Sequence, residues 1–167
     1  TPVDFNPHTG EILDADVILN GQRPFATNLS AGSFDVQSIV THEVGHFVGL
    51  DHSPIEGSTM TPLTAHGDTR LRSLEADDRA AIAARYPVAL GRAAIEGTVL
   101  QRGRPLRGVH VVAESEAGEP VSSTLTDAQG RFQIEGLEAG SYAVYAEPLD
   151  GRVTSGNLQT NNSGQIV

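Results

Sequence analysis

An α+β fold is predicted for this chain, with a mixed helix and strand part over residues 1–91 followed by a small all-β sandwich over 92–167. Three observations predict it. Apolar residues Val36, Ile39, Val40, Val44, Phe47 and Val48 recur at helical spacing. A second helix is expected from Ser73 to about Arg85, and from Ala94 onward the period switches to two. The composition changes at the same place, since five of the six histidines and the single methionine precede residue 91.

In the first part, Gly10 to Asn20 reads as an extended segment. Leu13, Ala15, Val17 and Leu19 fall on one face and Asp14 and Asp16 on the other, as in a half-buried strand. A polar loop from Gly21 to Gly32 leads to Ser33 or Asp35, either of which can cap the first helix. Gly49 can take the positive φ that ends it. Ser73 is the expected cap of the second helix, with Glu75, Asp77 and Asp78 near the positive end of its dipole and Pro87 just past its end. In the second part Ile95, Gly97 and Val99 alternate with polar residues, as do Phe132 and Ile134, and Tyr142, Val144 and Ala146. Asp127-Ala128-Gln129-Gly130 and Glu138-Ala139-Gly140 supply the turns.

Composition narrows the function. With 21 acidic against 11 basic residues the formal charge is -10, which repels phosphate backbones and anionic lipid, so nucleic acid is not an expected partner. No window approaches the run of about 20 apolar residues that spans a bilayer. All 11 basic residues are Arg, and with abundant Ala and Gly this bias points to a GC-rich, bacterial source. The absence of Cys leaves His and carboxylates as the ligands for any transition metal.

His42 and His46 stand four apart on the first helix, so both imidazoles project from one face toward a single ion. The break at Gly49 lets Leu50-Asp51-His52 return a third imidazole, leaving a fourth tetrahedral position for water. Glu43 points beside the metal and can take the proton of a zinc-bound water, then deliver it to the leaving amine. The pattern HExxHxxGxxH fixes five positions within eleven residues, a far more specific signal than a bare HExxH.

His42-Glu43-Val44-Gly45-His46-Phe47-Val48-Gly49-Leu50-Asp51-His52-Ser53 resembles the zinc-binding consensus of the metzincins (zincin-like catalytic domains). Ser53 resembles the matrixin branch. Ser58-Thr59-Met60-Thr61-Pro62 is similar to the matrixin Met-turn. The resemblance implies that Met60 forms an apolar floor beneath the metal and that Pro62 helps wall the pocket for the residue after the cleaved bond. Leu74 through Pro87 resembles the C-terminal matrixin helix, whose paired acids are structural, so Asp77 and Asp78 are assigned no catalysis. Thr9 to Asp16 looks like the edge strand of bacterial matrixin-like proteins, which implies that it lines the cleft and pairs with extended substrate. By the same resemblance the catalytic domain is N-terminally truncated, because about three strands and a long helix normally precede this edge strand.

The resemblance thus implies a secreted, extracellular zinc endopeptidase acting on protein or peptide substrates. The resemblance also raises a calcium or structural zinc site at Asp14 and Asp16. Two exposed acids on a strand read as solvated face, and they stay out of the metal set. His66, His8 and His110 are likewise left out. Residues 94 to 151 resemble the carboxypeptidase regulatory-like, or prealbumin-like, β-sandwich, with an accessory or spacing role. The rival reading is an extracellular binding or adhesion protein whose zinc site is structural or silent.

Overall fold

The computed structural model describes residues 3–86, 91–149, 153–154 and 156–158. It opens with β1 (Val3–Phe5) paired antiparallel to β2 (Ile12–Ala15). β2 is shorter than the expected strand, and its expected apolar face is only partly covered: Leu13 is 61% exposed, while Ala15 on the same face, like Ile12 on the other, is half-buried. Among the described residues β2 pairs only with β1, so no layer covers the face that Leu13 and Val17 present.

A parallel pair of two-residue strands, β3 (Phe25–Ala26) and β4 (Phe34–Asp35), leads directly into α1 (Val36–Phe47). Asp35 is its cap. The carboxylate accepts from the Ser38 amide at 2.9 Å and from Nη2 and Nε of Arg72 at 2.7 and 2.9 Å. Those Arg72 hydrogen bonds hold the buried Asp35 carboxyl far below the usual carboxylate range. This cap ties α1 to a 3-10 turn over Arg70–Arg72, whose Leu71 is buried. At its other end α1 stops where expected, with Gly49 at φ 84° and its amide donating to the His46 carbonyl at 2.9 Å.

The second helix, α2 (Ala76–Arg85), begins three residues later than Ser73. Glu75 is the cap residue, and its amide donates to the Asp78 carboxylate at 2.8 Å. A carboxylate in the third helical position reaches that amide more directly than the Ser73 hydroxyl, so the start shifts. Pro87 lies outside the described residues.

The β-rich part comprises β5 (Ala93–Thr98), β6 (Leu100–Gln101), β7 (Arg104–Pro105), β8 (His110–Ser115), β9 (Pro120–Leu125), β10 (Arg131–Leu137) and β11 (Tyr142–Glu147). One sheet pairs β5 with β10, a second runs β11-β8-β9, and β6 and β7 form a hairpin. Val111 and Ala113 of β8 share a core with Ile134 and Leu137 of β10, against which Ala93, Ile95, Val99 and Phe132 pack. Alternation therefore reads correctly on β5 and β10. On β11 it does not: Tyr142 and Tyr145 are half-buried, while Val144 is 41% exposed.

This part is seated on α2 through β9 and β10. Gly136 has φ 74°, and a Cβ there would collide with the Ala80 carbonyl and stand 3.0 Å from the Ala84 amide. Only glycine lets the β10 backbone approach the helix so closely.

Candidate metal centre

The helical period places the His42 and His46 rings 4.8 Å apart at 88°. Past Gly49 the chain doubles back, with the Leu50 amide donating to the Gly45 carbonyl at 2.9 Å. The reversal brings the His52 ring to 4.8 Å from His46 and 5.3 Å from His42. One nitrogen from each ring lies within 4.8 Å of the other two, and among the described residues this is the histidine or acidic group able to hold a cation.

Each ring is oriented by its other nitrogen. Nδ1 of His42 lies 2.8 Å from the Thr59 carbonyl, Nδ1 of His46 2.8 Å from the Leu50 carbonyl, and Nδ1 of His52 2.8 Å from the Asn157 carbonyl. A carbonyl only accepts, so each Nδ1 carries the proton and each Nε2 presents a lone pair. Burial lowers the pKa of His42 and of His52, which favours that neutral form. The Nε2 atoms of His46 and His52 are 3.2 Å apart, a repulsive contact for two lone pairs unless a cation lies between them. Two nitrogens on a tetrahedral zinc at about 2.0–2.1 Å stand about 3.3–3.4 Å apart, so the His46 and His52 pair matches that ion, with His42 close by to join it.

Glu43, half-buried on α1, lies near enough for its charge to raise the pKa of both His42 and His52 against the burial effect.

Met60 is 3% exposed and packs on Gly45, where a Cβ would collide with its Sδ and meet its Cε at 3.0 Å. Glycine in a helix interior costs about 1 kcal/mol relative to alanine, and here the missing side chain is the space the Met60 thioether fills. Asp78 holds the Met60 turn from behind. It accepts from the Ser58 hydroxyl at 2.8 Å, the Thr59 amide at 3.0 Å and the Met60 amide at 3.1 Å, besides the Glu75 amide. Pro62 is half-buried just beyond that turn.

Asp77 is also buried, close to the hydroxyls of Ser53 and Ser58. Burial pushes its carboxyl up to about 7, and the Asp78 charge adds to the rise. Unfolded, it titrates near 3.8, so its contribution to stability is full below that pH and lost as pH rises through about 7. Asp77→Asn is expected to flatten this loss, gaining stability over the parent between pH 4.5 and 7.5 in urea unfolding. Parallel stability profiles for the two proteins would refute it.

A cavity of about 790 Å³ is lined by His46 and His52 together with Phe5, Thr9, Gly10 and Ile12. The segment expected to line a cleft thus does border two of the histidines. His66 is exposed, its ring 4.4 Å from that of Phe34, and does not join the cluster. His8 is exposed as well, and His110 is buried on β8 with Nδ1 3.6 Å from the Glu147 carboxylate. Asp14 accepts from the Ala15 amide, and neither it nor Asp16 belongs to a converging group among the described residues. Sequence reasoning missed Gly45 and Asn157. A glycine in mid-helix was a legible signal for the first, but nothing in the sequence marks the second.

The matrixin family model matches residues 4–87, which contain the three converging histidines, Glu43 and the Met60 turn. The chain belongs to the matrixin family. Residues 94–165 of this matrixin match the carboxypeptidase regulatory-like domain. The chain is 34% identical over 70 residues to Metalloendoproteinase 2-MMP of Arabidopsis thaliana, covering 40% of this chain and 18% of that protein. With Metalloendoproteinase 5-MMP of the same plant it shares 35% over 77 residues, covering 44% and 21%. Serine-aspartate repeat-containing protein F of Staphylococcus epidermidis is 34% identical over 59 residues, covering 35% of this chain and 3% of that protein. The chain thus spans about a fifth of the length of the two metalloendoproteinases it matches. No solved structure matches it. The expected bacterial source finds no support in the two metalloendoproteinases, which come from a plant. Among the described residues no helix is long and apolar enough to cross a membrane.

Proposed function

We propose that this chain is the metal-binding part of a secreted zinc-dependent endopeptidase, residues 1–91 forming the catalytic unit and 92–167 a β-sandwich accessory domain. His42, His46 and His52 are its zinc ligands and Glu43 its general base. The convergence of three imidazoles, each with Nδ1 tied to a backbone carbonyl and Nε2 free to bind, carries the reading. Membership of the matrixin family and likeness to two metalloendoproteinases support it.

Zinc bound there would act as a Lewis acid, acidifying water and polarising the scissile carbonyl. Glu43 accepts the proton released as water attacks that carbonyl and passes it to the leaving amine, so no covalent intermediate forms. Met60 supplies an apolar floor, and Pro62 part of the wall for the residue after the cleaved bond. An extended peptide lies along β2, whose outer edge is unpaired among the described residues, with Ile12 and Gly10 facing the same cavity as His46 and His52.

Stripping the protein with a chelator is expected to lower hydrolysis of a fluorogenic peptide at least about 100-fold, and one equivalent of zinc should restore it. Cleavage that persisted in metal-free protein would refute the proposal.

A further inference from the structure

The His52 ring differs from the other two in what holds it. His42 is oriented by Thr59 and His46 by Leu50, both in the same part of the chain, whereas the Asn157 carbonyl comes from 105 residues away, beyond β11. That carbonyl is presented by a locked turn. The Asn157 amide donates to the Thr154 carbonyl at 2.9 Å, and the Asn157 side-chain oxygen accepts from the Thr154 amide at 3.0 Å and the Thr154 hydroxyl at 2.9 Å. Leu158, the next residue, is 5% exposed, so the turn is anchored by a buried apolar side chain. The domain it leaves is itself seated on α2 by the Gly136 approach to Ala80, and α2 carries the Asp78 that holds the Met60 turn.

We infer that Asn157, held by Thr154 and flanked by the buried Leu158, is a positioning element of the metal centre, its carbonyl fixing the tautomer and ring angle of His52. The β-rich part then orients one ligand of the set rather than serving as a spacer. The inference rests on the zinc reading proposed above. With Nδ1 of His52 held as a donor, Nε2 keeps its lone pair aimed at the point shared with His42 and His46. Without that partner the ring can rotate or exchange tautomers, and partners of this kind are worth about 10–100-fold in metal affinity.

The test uses the full chain, with zinc affinity measured by competition against a chelating dye and imidazole Nδ1 protons counted by NMR in the zinc-loaded protein. The parent is expected to show protected Nδ1 protons on all three of His42, His46 and His52, each assigned separately from that of the buried His110. Asn157→Ala, which unlocks the turn, should bind zinc about 10–100-fold more weakly and lose one of the three, while those of His42 and His46 persist. Thr154→Val, a milder change at an exposed site, should weaken binding in the same direction by a smaller factor. Zinc affinity within twofold of the parent in both variants, with all three protons retained, would overturn the inference. A parent chain that takes up no zinc would instead overturn the reading of the histidines themselves, and this inference with it.

Discussion

Replacing Glu43 by glutamine is expected to lower kcat/KM for peptide hydrolysis about 10²–10⁴-fold while zinc stays bound at the parent stoichiometry. Glutamine keeps the size of the side chain and its position on α1 beside His42, but it cannot accept a proton from water. The three imidazoles and their carbonyl partners at Thr59, Leu50 and Asn157 are untouched by the change. Loss of cleavage with metal retained therefore separates base catalysis from metal binding. Paired measurements of zinc content and initial rate are the check, and a Glu43→Gln variant cleaving at the parent rate would remove Glu43 from the mechanism.

Asp78→Ala is expected to cost about 3–5 kcal/mol of stability, because several buried donors lose their acceptor together. The carboxylate is 1% exposed and satisfies the amides of Thr59, Met60 and Glu75 and the hydroxyl of Ser58. Alanine strands those donors in a space closed to water, and an unmet buried donor costs about 1–3 kcal/mol. The effect reaches the metal centre by two paths: Met60 loses its seat against Gly45, and the Thr59 carbonyl that orients His42 is released. Denaturant unfolding of metal-free protein gives the stability, and dye competition should show zinc affinity falling in parallel. A variant within 1 kcal/mol of the parent would contradict this account of the turn.

The helix-borne half of the site was the most legible, because a four-residue spacing on a helix dictates that two side chains share a face. The return of His52 followed from a glycine that ends the helix. The β2 strand was less legible: period-two alternation reports which residues share a face, but not which face another layer covers, and Leu13 proved exposed. For α2 the start depended on competition between two caps, which only the position of the Asp78 carboxylate decides. Asn157 was beyond reach, since a backbone carbonyl delivered across 105 residues leaves no trace in side-chain pattern. Gly45 was in plain view, but its meaning depends on knowing that Met60 lies against it.

X-ray absorption at the zinc edge of the loaded chain, recorded before and after adding a peptide hydroxamic acid, tests the central claim most directly. The account predicts one zinc per chain with three imidazole nitrogens at about 2.0–2.1 Å and a fourth position that the hydroxamate takes. It predicts further that His46→Ala abolishes the signal at equal zinc concentration. A site with four protein ligands, unchanged by the inhibitor, would contradict the endopeptidase reading and leave a structural zinc in its place.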